Sequence, residues 1–131
     1  MSAKSVSQKY SEIVFNRIQK NISATRETKV LKQYKGLCKR SGGILRTVGL
    51  IQYLAFLKSK SAKYEHYKLL LNDLAEESKP GTSADVFMES VRKMNLGDYM
   101  QSTRHVLTLL QWHKRVSDIL ISGTCESEED G

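Results

Sequence analysis

Proline occurs once in this chain of 131 residues, at Pro80. The apolar–polar alternation that marks strands is hard to find anywhere, and the two absences together point to helices. Cysteine is scarce as well. Cys38 and Cys125 stand far apart, with no CxxC or Cys/His metal spacing, so neither a disulfide framework nor a zinc site is expected. No apolar run approaches the ~20 residues that span a bilayer, and the polar first nine residues lack the core of a signal peptide. A cytoplasmic protein without a membrane partner is the expectation.

Acidic residues are the minority, 14 against 21 Lys and Arg, for a net charge of +7. Four of the acids, Glu126, Glu128, Glu129 and Asp130, crowd into a final segment with no base, which leaves 21 bases against 10 acids, or +11, on the rest. A body of that charge gathers anions, most commonly nucleic acid. The length suits one domain, read as a helical unit over residues 1–123 followed by an acidic tail over 124–131 that is expected to be disordered.

Apolar residues recur at spacings of three and four. Val6, Tyr10, Ile13, Val14, Ile18 and Ile22 form the stripe of a first helix. Val30, Leu31, Tyr34, Leu37, Cys38 and Ser41 form a second, which Gly42-Gly43 is expected to end. Residues 44–57 are apolar nearly all round and too long for a strand of about 5–6 residues, so they read as a third, buried helix. Tyr64, Tyr67, Leu71, Leu74 and Ala75 mark a fourth, stopped by Ser78-Lys79-Pro80-Gly81.

Thr82 with Asp85 fits a capping pattern for a fifth helix, with Ala84, Phe87, Val91 and Met94 inward. Asp98 with Gln101 is expected to cap a long last helix that ends at Ser122-Gly123. Its two apolar stripes, Thr103, Val106, Leu107, Leu110 and Leu120 beside Leu109, Trp112, Val116 and Ile119, place it centrally. The expected fold is all-α, a compact bundle of about five to six helices with a long central C-terminal helix.

Catalytic chemistry needs groups that converge, and none is indicated. His105 and His113 are two turns apart on one helix, too far for one metal, and His66 reads as packing. Asn72 and Asp73 interrupt an apolar run and suit a polar contact between helices. Gly42-Gly43 lacks the Gly-x4-Gly-Lys-Ser/Thr pattern of a phosphate loop, so neither a cofactor nor a small-molecule substrate is expected. Tyr10, Tyr34, Tyr53, Tyr64, Tyr67, Tyr99 and Trp112 lie mostly on core stripes, where packing takes precedence over base stacking.

What stands out is the arrangement of bases. Lys32, Lys35 and Lys39 share a helix face, Arg40 and Arg46 follow across the glycine pair, and Lys58, Lys60 and Lys63 form a second cluster. Phosphate contacts need only positive heads on a solvent face. Lys32, Lys35, Lys39, Arg40 and Arg46 are therefore the first candidates for contact with the phosphates of a nucleic acid, with Arg104, Lys114 and Arg115 the second group.

Residues 42–60, Gly-Gly-Ile-Leu-Arg-Thr-Val-Gly-Leu-Ile-Gln-Tyr-Leu-Ala-Phe-Leu-Lys-Ser-Lys, carry Gly-Leu, then Gln, then Leu-Ala-Phe on a buried helix. Asp98 to Arg104, with its Tyr and Thr-Arg, leads to Trp112-His113-Lys114-Arg115, and Leu70-Leu71-Asn72-Asp73-Leu74 is a weaker third stretch. In this pattern the chain resembles the small helical subunit of type III-B CRISPR effector complexes, the Cmr family. It departs from that family at Gly42-Gly43, where Leu-Pro is frequent. The resemblance implies a non-catalytic subunit that stacks with copies of itself as a minor filament beside a backbone of RAMP-fold subunits. Target RNA paired to the guide would run between the two. A type III-A small subunit would work in much the same way. A free-standing helical nucleic-acid-binding regulatory domain would need an exposed polar recognition helix, and the helix after Gly43 is apolar.

Overall fold

In the computed structural model, which describes residues 4–123, three of the helices begin at a residue whose side chain accepts from a backbone N–H of the first turn. Ser5 Oγ accepts from the Gln8 N–H at 3.1 Å while Gln8 Oε1 accepts from the Ser5 N–H at 2.8 Å, a reciprocal cap that starts α1 (Val6–Ala24). α2 (Thr28–Val48), α3 (Leu50–Ser61), α4 (Glu65–Ser78), α5 (Ala84–Arg92) and α6 (Leu96–Leu120) follow, with no strand among the described residues. The fold is all-α, as the periodicity indicates. The expected tail, 124–131, lies outside the described residues.

Two helix starts differ from the expectation. The Thr82 N–H is still bonded to the Lys79 carbonyl within the Pro80-Gly81 turn, so Ser83 becomes the cap of α5 and accepts from the Val86 N–H at 3.2 Å. α6 begins earlier than Asp98, because Asn95 Oδ1 accepts from the Asp98 N–H at 2.8 Å and draws Leu96 and Gly97 into the first turn.

The larger correction concerns Gly42-Gly43. α2 runs straight through both glycines and stops at Gly49, whose φ of 86° and ψ of 165° are open only to glycine. Tyr34, Leu37, Cys38, Ser41 and Leu45 keep helical spacing across the pair and are all buried, so packing on one face outweighs the roughly 0.5–1 kcal/mol that each mid-helix glycine costs relative to alanine. The expected third helix is thereby divided: Ile44 to Val48 belong to α2, and α3 starts at Leu50.

α6 packs along both α1 and α2, α4 lies against α2 and α3, and α5 closes over α3 and α4. α2 and α6 run antiparallel, as a ladder of contacts down their length shows. Lys35 meets the Ile121 carbonyl, Cys38 meets His113, and a Cβ at Gly42 would touch Leu107. At the far end the Tyr99 hydroxyl accepts from the Ile51 N–H at 3.2 Å, beside Gly49. One core gathers residues from all six helices, including Val14, Ile18, Leu37, Leu54, Leu74, Phe87, Leu109 and Leu110. Tyr34, Tyr53 and Tyr67 are fully buried within it, in packing roles. Val6 and Ile119, assigned inward by spacing, are 70% and 75% exposed: Val6 opens α1, and Ile119 faces outward while Ser117 and Ile121 on either side of it are buried.

The two kinds of glycine predict opposite outcomes. A Cβ at Gly43 would meet nothing within 4 Å, so Gly43→Ala is expected to stabilise the fold by about 0.5–1 kcal/mol. Gly49→Ala is expected to destabilise it by about 1–3 kcal/mol, read from urea unfolding midpoints of the two variants.

Candidate nucleic-acid interface

The site is built on the seam between α2 and α6, and a buried polar network behind that seam fixes the register of the two helices. Asp73 of α4 is fully buried. It accepts from Arg17 Nε at 2.6 Å, from Asn21 Nδ2 at 3.0 and 2.9 Å, and from the Tyr34 hydroxyl at 2.5 Å. His113 of α6, also fully buried, completes the chain with Nδ1 3.1 Å from the Tyr34 oxygen and Nε2 2.8 and 2.9 Å from the two Glu77 oxygens. Asp73 thus makes the contact between helices that its interruption of an apolar run suggested.

These partners form two ion pairs, Arg17 with Asp73 and His113 with Glu77, each with its carboxylate on α4. Burial works against a charge on His113, but the adjacent Glu77 carboxylate and hydrogen bonds to Cys38 and Glu77 outweigh it and hold the imidazole well above its usual range. A doubly protonated ring fits the geometry. Its Nδ1–H donates to the Tyr34 oxygen, whose own proton goes to Asp73, and its Nε2–H donates to Glu77. Burial raises the Glu77 carboxyl, with His113 opposing the shift.

In front of this network α2 and α6 leave a groove of about 510 Å³, lined by Lys39, Arg46, Gln111, Lys114 and Arg115 around a floor of Cys38, Gly42, Gly43 and Leu110. The glycine pair serves here as a stretch of helix without side chains, which keeps the groove open between two rows of bases. Lys39, Lys114 and Arg115 also border a smaller hollow with Lys35 and Asp118, nearer the end of α6. Lys39, Arg46, Lys114 and Arg115 are all exposed, and among the described residues none of them forms an ion pair.

The structure therefore joins members of both groups of candidates, Lys39 and Arg46 from α2 with Lys114 and Arg115 from α6. The others go elsewhere. Lys35 is 8% exposed, and its ammonium donates to the Ile121 and Gly123 carbonyls at 2.9 Å each, where a cation satisfies the end of α6. That placement follows from α6 ending beside Lys35, which the charge pattern does not reveal. Arg40 donates to the Tyr67 hydroxyl at 3.2 Å, and the Lys32 methylenes lie against Gly123. Arg104 sits about 16 Å back along α6 from Arg115, beside a separate, more apolar cleft with Tyr10, Phe87 and Met94. Lys58 pairs with Asp85 at 2.9 Å, and Lys60 and Lys63 lie over the Tyr64 ring. His105 bonds the Tyr10 hydroxyl at 2.7 Å. Among the described residues no three His, Cys, Asp or Glu side chains are grouped to hold a metal, and no helix is long and apolar enough to cross a membrane.

The family described as CRISPR-associated protein (Cas_Cmr5) matches residues 6–120, nearly the whole described chain. The chain belongs to this Cmr5 family. A curated relative, the CRISPR system Cmr subunit Cmr5 of Thermus thermophilus, is 33% identical over 89 residues, which is 68% of this chain and 75% of the relative. The X-ray crystal structure of a CRISPR-associated Cmr5 family protein, also from Thermus thermophilus, aligns with a TM-score of 0.76 and 28% identity, covering 91% of this chain and 100% of that one. The Cmr5 match spans α1 to α6, and so includes both walls of the groove.

The His113–Glu77 pair sets the pH dependence of stability. With its folded pKa above the unfolded value of about 6.5, His113 stabilises fully below that pH and loses its contribution as pH rises through the folded value. The raised Glu77 carboxyl has the same sign, in a window that opens at lower pH. The melting temperature is expected to fall from about pH 6 upward, and less steeply in His113→Gln. His113→Ala, which strands the Glu77 charge, is expected to cost about 3–5 kcal/mol in chemical denaturation.

Proposed function

We propose that this Cmr5-family chain is a non-catalytic, cytoplasmic subunit of a type III-B Cmr complex that helps hold target RNA along the guide. The single observation that carries the reading is the α2–α6 groove, where Lys39, Arg46, Lys114 and Arg115 face solvent without carboxylate partners among the described residues, in a member of this family. Four positive heads over a glycine floor suit a phosphate backbone, and the aromatic side chains that would read bases are largely committed to the core. Sequence would then be read by pairing with the guide, and the protein need only recognise backbone and shape.

The name of the Thermus relative, a Cmr subunit, supports association with other subunits of a Cmr complex. On this reading the partners are a RAMP-fold backbone and further copies of this chain. Val86, Leu96 and Met100 on the outer side of α5 and α6 are exposed apolar residues available for such packing. The match to the Cmr5 family favours this assignment over a type III-A small subunit or a free-standing regulatory domain.

The test is a combined Lys39→Ala, Arg46→Ala, Lys114→Ala and Arg115→Ala variant. All four positions are exposed, so unfolding should be nearly unchanged. Retention of single-stranded RNA at low salt is expected to fall at least tenfold, and the slope of log affinity against log salt to flatten by about 3. Retention equal to that of the unaltered chain would remove the groove from the RNA path.

A further inference from the structure

The end of the described chain lies at the mouth of the basic groove. Lys35 holds the Ile121 and Gly123 carbonyls, and a Cβ at Gly123 would come within 2.9 Å of Lys32 Cε, so the backbone leaves the fold between these two lysines. Lys35 also borders the hollow shared by Lys39, Lys114, Arg115 and Asp118, which continues through those three bases into the groove reaching Arg46. The eight residues that follow Gly123 include Glu126, Glu128, Glu129 and Asp130 and no base.

We infer that this acidic segment, residues 124–131, docks back along the α2–α6 groove of its own chain and competes there with RNA. Reach permits it. Lys35 and Arg46 are separated by about 16 Å along α2, at 1.5 Å per residue. Eight extended residues span up to about 26 Å.

Charge complementarity selects the path. The segment brings four carboxylates, and the groove presents four bases without partners among the described residues. Asp118, paired with Lys35 at 3.7 Å, is the one acid among the described residues lining the entrance and disfavours a carboxylate that stops there. A tethered segment acts at an effective concentration in the millimolar range, enough for weak, salt-screened contacts to compete. The result is a filter: stray, short anions are held off, while a long RNA that neutralises more phosphates displaces the segment. The competition with RNA rests on the function proposed above, whereas the docking does not.

Cys125 lies within the segment and Cys38 is 1% exposed, so a nitroxide reagent can mark the segment in the full, otherwise unaltered chain. At low salt, paramagnetic broadening is expected at the amides of Gly42, Gly43, Arg46, Gln111 and Arg115, and it should fade near 1 M salt, where the Debye length is about 3 Å. Neutralising the segment by Glu126→Gln, Glu128→Gln, Glu129→Gln and Asp130→Asn should abolish the broadening and tighten binding of a single-stranded RNA by at least about threefold at low salt.

Broadening confined to another face, or absent at low salt, would overturn the docking whatever RNA does. So would broadening that arises only between copies, seen in a mixture of spin-labelled and isotope-labelled chains. Broadening at the groove with no RNA binding by either form would leave the docking standing and overturn the RNA reading. Docking at the groove with equal RNA affinity in the two forms would overturn the competition.

Discussion

Asp73 and its partners constrain this structure more than any other group. A carboxylate with no solvent exposure survives only if its lone pairs and charge are met, and here Arg17, Asn21 and Tyr34 meet them from α1 and α2. Tyr34 passes the requirement on to His113, and His113 to Glu77, so α1, α2, α4 and α6 are tied through one hydrogen-bonded chain. Sliding α6 by a turn against α2 would leave two buried charges unpaired. Apolar side chains tolerate such slippage far better, because their contacts have no direction. The network sets register, and the surrounding leucines and tyrosines supply most of the burial.

The surface follows from that register. With His113 held against Tyr34 and Cys38, the next two residues of α6, Lys114 and Arg115, emerge opposite Lys39. One turn further along α2 come the two glycines, and then Arg46. The groove is thus the solvent side of the seam whose inner side is the polar network. At the other end of the same ladder Lys35 gives its charge to the Ile121 and Gly123 carbonyls just past the end of α6, so one basic face of α2 divides into a structural lysine and a solvent-facing one a single turn apart.

Much of the helix content was legible because apolar spacing of three and four survives any tertiary arrangement. The stop at Pro80-Gly81 was equally plain, since few other conformations accommodate that dipeptide. Gly42-Gly43 was misleading for a physical reason. Glycine is permissive rather than prohibitive, and whether it ends a helix depends on whether the stripe on either side is worth keeping together. Leu45, four residues after Ser41, was the signal of continuity, and Gly49 was the true break. The caps at Ser83 and Asn95 were displaced because several polar residues compete for each helix start, and the turn before it decides which of them is extended.

For the site, the sequence by itself determined the sign and quantity of charge, the helical faces that carry it, the scarcity of groups for catalysis or metal binding, and a resemblance strong enough to name the family. These are properties of composition and local period, which do not depend on how helices meet. Only the tertiary structure decided which bases act together. Lys39 and Arg46 join Lys114 and Arg115 because α2 and α6 pack antiparallel in one register, while Lys35 and Arg40 are drawn into a helix end and onto Tyr67. The helical period says which way a side chain points from its own axis, but only packing says whether water, a carbonyl or another helix waits there.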